Sequence, residues 1–133
     1  MREIGDRKQE ARLLQQLAGI LWIRHDLDEA KRFYESSLSV SREIDFEVGV
    51  CRALCCLATI YKTRGLLVRA EEYLREMLRM VDVLGMERER YTGENNLGLL
   101  YLNQGRLELA EKFLLVAAEG DRRLDRRHAE AVT

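Results

Sequence analysis

Hydrophobic and small residues recur along the chain with a period of 40 residues. The same shift aligns several sets of positions: Leu17, Leu57 and Leu97; Ala30, Ala70 and Ala110; Ala18, Ala58 and Gly98; Leu27, Leu67 and Leu107; Phe33, Tyr73 and Phe113; Ile4, Ile44, Leu84 and Leu124. A fixed period of this length is typical of a repeat protein, in which each repeat is one supersecondary unit stacked on the next.

Each repeat is predicted to contain two helices, which in the first repeat run from about Lys8 to Arg24 and from about Asp28 to Ile44. The predicted turns fall at residues that tolerate a left-handed backbone: His25, Gly65 and Gly105 within repeats, and Gly5, Asp45, Gly85 and Asp125 between them. The chain has no proline, which favours helix throughout. We therefore predict an all-α solenoid of three antiparallel helix pairs.

The period also predicts the domain organisation. The 133 residues are expected to form a single domain with repeats at about 8–47, 48–87 and 88–127, and residues 1–7 and 128–133 are interpreted as remnants of neighbouring repeats. Small residues such as Ala18 and Ala30 are expected where two helices cross closely. The buried arc of the first helix is predicted to consist of Leu13, Leu14, Leu17, Ile20 and Leu21.

The spacing of the repeated residues resembles that of the tetratricopeptide repeat family. The third repeat carries Leu97-Gly98, Tyr101, Gly105 and Ala110, and the second carries Leu57-Ala58, Tyr61, Gly65 and Ala70. The first is a weaker copy, with Leu21 for the aromatic and His25 for the glycine. The 40-residue length resembles the repeats of kinesin light chains and bacterial regulatory proteins. The resemblance implies a right-handed superhelical solenoid with a non-catalytic protein-interaction role.

Composition narrows the classes of partner. The chain has 22 Lys and Arg against 23 Asp and Glu, so it lacks the basic surplus of a nucleic-acid binder. Its longest mainly apolar stretch, Ala53 to Tyr61, has nine residues, whereas a membrane-spanning helix needs about 20. No apolar leader follows Met1, and three cysteines within six residues form no disulfide framework. We expect a cytoplasmic protein with free thiols.

In stacked helix pairs the first helices line the concave surface, which is the usual binding face. The residues predicted to bind a peptide there are Arg12, Gln15, Gln16, Trp22, Arg52, Thr59, Lys62, Asn95, Asn96 and Asn103. Amide side chains can pair with a peptide backbone in both directions, and the three cations suit a partner with acidic character. The resemblance implies backbone contacts by Asn95 and Asn96. The alternative is that these residues are merely solvated.

Other candidate sites leave alternatives open. Cys51, Cys55 and Cys56 lack the paired spacings of a zinc site, and neither a cofactor nor a catalytic residue is predicted. The arginines from Arg122 to Arg127 indicate either a phosphate or acidic-partner site or a helix surface of ion pairs. The apolar row from Leu114 to Ala118 cannot all face one neighbouring helix, so part of it is expected to be exposed. This predicts self-association or end-to-end stacking through the C-terminal helix.

Three functions are compatible with these features. The preferred one is a protein-interaction module that binds a peptide or a partner helix in its concave groove. The second is a sensor or regulatory arm of a larger bacterial signalling or transcription-regulating protein. The third is an assembly unit whose repeats only polymerise. An enzyme is the least favoured class, because no constellation of catalytic residues occurs in the sequence.

Overall fold

The computed structural model describes residues 4–132, which form six α-helices joined by short turns. The side chains of Ile4 and Val132 are outside the description. The helices are α1 (Ile4–Ile23), α2 (Leu27–Glu43), α3 (Glu47–Thr63), α4 (Leu67–Leu84), α5 (Glu87–Asn103) and α6 (Leu107–Val132). No strand occurs within residues 4–132. The all-α helical repeat predicted from the 40-residue period is confirmed.

The five turns between helices fall where the sequence predicts them. The backbone is left-handed at His25 (φ 64°), Asp45 (φ 54°), Gly65 (φ 79°), Gly85 (φ 68°) and Gly105 (φ 76°). In the turn after α1, the amide of Asp26 donates to the carbonyl of Leu21 at 2.9 Å, and Leu66 does the same to Tyr61 at 2.8 Å. These bonds satisfy carbonyls that the helix end leaves without a partner.

The turns expected at Gly5 and Asp125 do not form. Gly5 lies within α1 and Asp125 lies within α6, so both helices run through the predicted repeat boundary. Glycine and aspartate tolerate a left-handed backbone but do not impose it, and a continuous helix keeps its backbone hydrogen bonds. At Asp45 and Gly85 the backbone hydrogen bonds that the turn costs are compensated by packing of the helix that follows. Within the described residues, no helix follows α6 that could compensate for a turn at Asp125.

The chain divides into two compact units at the boundary between Leu66 and Leu67. In unit 1, α2 packs antiparallel against both α1 and α3. The close crossing of α1 and α2 is fixed by Ala11, Ala18 and Ala30, which are all fully buried. Because Ser37 is also fully buried, its hydroxyl needs a partner, and it donates to the carbonyl of Ala11 at 2.9 Å.

In unit 2, α5 packs antiparallel against α4 and α6. Glycines allow both approaches. A Cβ atom on Gly93 would lie 3.0 Å from Leu78 of α4, and one on Gly98 would lie 2.8 Å from Leu114 of α6. The buried ring of Tyr101 lies 5.6 Å from that of Phe113, between ring centroids. The small residues at repeated positions thus have the packing role that was predicted.

The predicted buried arc of the first helix is wrong at three positions. Leu13, Leu17 and Ile20 are 49%, 47% and 49% exposed, and Leu14 and Leu21 are half-buried. Repeat-equivalent residues are buried elsewhere: Ala53, Leu57 and Ile60 in α3, and Gly93, Leu97 and Leu100 in α5. The difference has a physical cause. In unit 1, α2 precedes α3 and packs on it, and in unit 2, α4 precedes α5 and packs on it. No helix within residues 4–132 precedes α1.

Candidate functional site

The candidate residues of unit 1 lie on the accessible sides of α1 and α3. Arg12, Gln16 and Arg52 are exposed, and Gln15, Trp22, Thr59 and Lys62 are half-buried. The two helices are in contact. Side chains that project from both can therefore meet one ligand.

Two of these residues also have a structural role within unit 1. The amide nitrogen of Gln15 donates to the carbonyl of Gly49 at 3.0 Å, which joins α1 to the first turn of α3. The guanidinium of Arg12 lies 5.2 Å from the centroid of the Phe46 ring, within the range of a cation–π contact. Gln15 therefore retains one amide N–H and its carbonyl oxygen for a ligand, and Arg12 is held over Phe46 while it stays exposed.

A cleft of about 230 Å³ opens between the helices of unit 1, lined by Trp22, Tyr34, Cys56 and Thr59. Pockets that bind drug-sized ligands usually have about 300–1,000 Å³. The cleft is therefore sized for a side chain of a partner rather than for a cofactor. Its residues come from all three helices of unit 1, since Trp22 ends α1, Tyr34 lies in α2, and Cys56 and Thr59 lie in α3.

The hydroxyl and thiol groups of this cleft are paired and uncharged. The hydroxyl of Tyr34 and the thiol of Cys56 form a side-chain hydrogen bond. Burial raises the pKa of the Cys56 thiol and also that of the Tyr34 hydroxyl, so both groups are protonated at neutral pH. The hydroxyl of Thr59 donates to the carbonyl of Cys55 at 3.1 Å. A cleft with these walls suits an apolar side chain.

Sequence reasoning missed Tyr34, because it considered only the first helix of each repeat. The signal was present: Tyr34 aligns with Leu74 and Leu114, so one repeat has a hydroxyl where the other two have none.

The candidate residues of unit 2 lie along α5. Asn95 and Asn103 are exposed, and Asn96 is half-buried and makes an interaction within the protein. Asn103 lies eight positions after Asn95, which places the two residues about 12 Å apart along the helix axis and about 80° apart around it. Leu102, which is exposed, lies beside Asn103. This side of α5 therefore offers amides with an apolar neighbour.

Glu94 adds a carboxylate next to the asparagines. Its side chain is only 15% exposed, and the guanidinium of Arg90 lies 4.0 Å away. Burial raises the pKa of Glu94, and Asp82 adds to this effect while Arg90 opposes it. The 40-residue period shows in the sequence that this carboxylate is unusual. Glu94 aligns with Leu14 and with Leu54, and Leu54 is fully buried.

The arginines near the end of α6 line a second cleft in unit 2. It has about 500 Å³, and its walls are Glu87, Tyr91, Arg123, Arg126, Arg127 and Glu130. Arg127 forms an ion pair with Glu87 across the α5–α6 contact, and this hydrogen bond lowers the pKa of Glu87. The pair supports the ion-pair interpretation of the basic cluster over the phosphate interpretation.

The cysteines of α3 do not form a metal site. Cys51 is buried, and Cys55 and Cys56 are half-buried. Within residues 4–132, no group of three or more His, Cys, Asp or Glu side chains is arranged to hold a metal ion. Over the same residues, none of the helices combines the length and the apolar character that a membrane crossing requires.

The fold and these faces define a helical-repeat protein, and the comparisons with known proteins give its family. A tetratricopeptide repeat model matches residues 9–82, and a second tetratricopeptide repeat model matches residues 95–119. The chain belongs to the tetratricopeptide repeat family, as its motifs predicted. None of the curated proteins compared with the chain matches it.

Two solved structures are similar to the chain. BtubC (BKLC) from P. vanneervenii is 27% identical with a TM-score of 0.78, and the match covers 85% of this chain and 46% of BtubC. The apo form of RapI is 16% identical with a TM-score of 0.81, and the match covers 90% of this chain and 34% of RapI. The chain thus spans less than half the length of each.

Proposed function

We propose that this protein is a non-catalytic protein-interaction module that binds a peptide along the accessible side of α3. The observation that carries the proposal is the neutral cleft of Trp22, Tyr34, Cys56 and Thr59. Membership of the tetratricopeptide repeat family supports the general role of binding proteins. The residues and the type of peptide are our inference from the geometry of unit 1.

The proposed peptide has an apolar residue between two acidic ones. Arg52, Cys56, Thr59 and Lys62 follow one another at spacings of three or four residues and share one side of α3. Along the helix axis, Arg52 lies about 6 Å before Cys56, and Lys62 lies about 9 Å after it. An extended peptide covers about 3.3 Å per residue. An apolar side chain in the cleft would then have acidic residues two positions away on one side and three on the other.

Unit 2 is proposed to contribute separately. Asn95, Asn96 and Asn103 are suited to hydrogen bonding with the peptide backbone of a ligand, because each amide carries donors and an acceptor. No acidic or apolar preference is assigned to this side of α5.

The proposal is tested with a labelled peptide Glu-x-Leu-x-x-Glu and with a second peptide that has the reverse sequence, Glu-x-x-Leu-x-Glu. We expect binding to be lost when glutamine replaces both glutamates, and also when alanine replaces the leucine. Trp22→Ala, which removes a wall of the cleft, and Arg52→Ala should each weaken binding at least about tenfold. The matched controls Ser39→Ala and Arg79→Ala change exposed residues on second helices and should bind like the wild type.

The asparagines are tested by comparing the triple variant Arg52→Ala/Asn95→Ala/Asn96→Ala with Arg52→Ala alone in a peptide array. Equal capture of peptides by the triple variant and the wild type would contradict the proposal that these residues bind a peptide. Circular dichroism shows whether the variant is folded. Truncation has little effect on stability at the exposed Arg52 and Asn95, whereas Asn96 is half-buried and makes an interaction within the protein.

A second candidate function is a sensor or regulatory arm of a larger bacterial signalling or transcription-regulating protein. The observation that favours it is the length of the structural neighbours, of which this chain matches 46% and 34%. The coding sequence on both sides of this segment tests it. An adjoining ATPase or DNA-binding domain would support the regulatory role, and stop and start codons without such a domain would exclude it.

The remaining sequence-based expectations belong to the same proposal. A cytoplasmic location is proposed from the three cysteines without a disulfide framework, and fractionation of cells that produce the protein tests it. The balanced charge favours a protein partner over a nucleic acid or a membrane. Self-association through α6 is proposed as a second interaction.

A further inference from the structure

The outward side of α1 has the pattern of a repeat interface, and within residues 4–132 no helix precedes α1 to cover it. We define the α1 face as Leu13, Leu17 and Ile20 together with Leu21 and Arg24. The first three are about half exposed, while their equivalents in α3 and α5 are buried, and α3 and α5 pack on α2 and α4. The residues that stack one repeat on another are thus present on α1.

The outward side of α6 corresponds to the sides of α2 and α4 that pack on the next first helix. We define the α6 face as Glu108, Leu115, Ala118 and Arg122. Leu115 is 54% exposed, and the other three residues are exposed as well. The exposure predicted for part of the apolar row from Leu114 to Ala118 is therefore confirmed.

The sizes of the residues on the two faces are complementary. Within unit 2, the large Leu78 of α4 packs against the small Gly93 of α5, whose Cβ would lie 3.0 Å away. The residues equivalent to this pair on the outer faces are Ala118 and Leu13. The small residue is now on the second helix and the large one on the first, so the combined volume is retained.

The two outer faces also differ together in polarity from the contacts within the units. Within unit 2, the guanidinium of Arg75 donates a hydrogen bond to the hydroxyl of Tyr101. Within unit 1, the hydroxyl of Tyr61 donates to a carboxylate oxygen of Glu35 at 3.5 Å. The equivalents on the outer faces are Leu21 for the tyrosines and Leu115 for Arg75 and Glu35. An apolar pair therefore replaces a polar pair on both sides of the contact.

The charges match as well. Within unit 1, Asp28 of α2 forms an ion pair with Arg64 at the end of α3. The equivalent residues on the outer faces are Glu108 and Arg24, which have the same signs. Within unit 2, Asp82 lies 3.8 Å from Arg90, and the equivalents are Arg122 and Glu10, where both signs are inverted together.

We propose that the α6 face of one copy of this chain packs on the α1 face of a second copy, in the manner of two consecutive repeats. The two faces differ, so the contact is heterologous, and it continues from copy to copy unless a ring closes. This interaction is independent of peptide binding, because the cleft of unit 1 lies on other sides of the helices. Its partner is a second copy rather than a foreign helix, since three separate properties of the faces are matched.

The test measures mass in solution by sedimentation and light scattering, from about 1 µM to about 1 mM, the range in which interfaces with few strong contacts associate. We expect the mass of the wild type to rise beyond that of a dimer. Leu17→Glu on the α1 face and Leu115→Glu on the α6 face should each raise the association Kd at least about tenfold. Val83→Glu is the matched control, because Val83 is 86% exposed and lies on neither face.

Mixing the two variants gives the decisive result. Leu17→Glu retains an intact α6 face and Leu115→Glu retains an intact α1 face, so a mixture should form a dimer of one copy of each and nothing larger. As a second pair, Arg24→Glu and Glu108→Arg should each weaken association, and a chain with both changes should recover it.

Three results would overturn the proposal. The first is a wild type that stays monomeric at the highest concentration. The second is a mixture of the two variants that stays monomeric while circular dichroism shows both to be folded. The third is self-association by Leu17→Glu alone at the wild-type strength, which would mean that α6 pairs with itself.

Discussion

The hydroxyl of Tyr101 donates a hydrogen bond to a carboxylate oxygen of Glu71 at 2.8 Å, and so joins α5 to α4. Tyr101 is fully buried, and Arg75 contacts both partners. Burial alone would raise the pKa of Glu71, but the hydrogen bonds from Tyr101 and Arg75 outweigh it and lower the pKa below the usual 4.5. A carboxylate whose pKa is lowered in the folded state stabilises the fold above its unfolded pKa.

The first prediction concerns this network. The stability that Glu71 contributes should be present at neutral pH and should be lost as the pH falls below about 4.5. Tyr101→Phe should reduce the free energy of unfolding by about 1 kcal/mol at pH 7, and by less at pH 3. Urea denaturation at both pH values checks this, and an equal loss at both would contradict it.

The second prediction concerns Glu94, whose pKa is raised. The sign is opposite to that of Glu71: a raised pKa in the folded state means that stability falls as the pH rises through the unfolded value of about 4.5. Glu94→Leu introduces the residue that the other two repeats have at the equivalent positions, Leu14 and Leu54. This variant should stabilise the protein by about 1 kcal/mol at pH 7. Thermal unfolding of this variant measures the effect, and a lower melting temperature would count against it.

A third prediction compares two glycines inside helices. A Cβ on Gly120 would overlap the ring of Tyr91, whereas a Cβ on Gly19 would have no atom within 4 Å. Gly120→Ala should therefore destabilise by about 1–3 kcal/mol, while Gly19→Ala should stabilise by about 0.5–1 kcal/mol because alanine favours helix. Chemical denaturation distinguishes the two, and similar effects from both would show that α6 does not approach Tyr91 as described.

The fourth prediction concerns the turns. His25 has a left-handed backbone at φ 64°, where the other repeats have Gly65 and Gly105. His25→Gly should stabilise by about 0.5–1 kcal/mol by removing the strain on a residue with a Cβ. Gly105→Ala should destabilise by a similar amount, and a neutral outcome for both would mean that the turns tolerate a Cβ without strain.

Much of the fold follows from the sequence, because the 40-residue period and the turn residues are local signals. His25 and Asp45 have the left-handed backbone that their positions predicted. The exposure of Leu13, Leu17 and Ile20 could not be predicted in this way. A pattern of apolar positions marks the side of a helix that can pack, and whether another helix is there to cover it depends on the rest of the structure.

The candidate site was predictable in part. The exposure of Arg12, Arg52 and Asn95 follows from helix periodicity. The hydrogen bond from Gln15 to the carbonyl of Gly49 depends on how closely α1 approaches α3, and no pattern in the sequence reports that distance. The contribution of Tyr34 to the cleft likewise depends on the packing of α2 against α3.

The proposed function makes its most direct prediction about the environment of α3. In a titration of the isotope-labelled protein with the peptide Glu-x-Leu-x-x-Glu, followed by NMR, the largest shifts should occur at the amides of Arg52, Cys56 and Thr59 and at the indole N–H of Trp22. The peptide with glutamine in place of both glutamates should produce much smaller shifts. An unchanged spectrum around the cleft, or shifts confined to α2, would contradict the proposal that this protein binds peptides here.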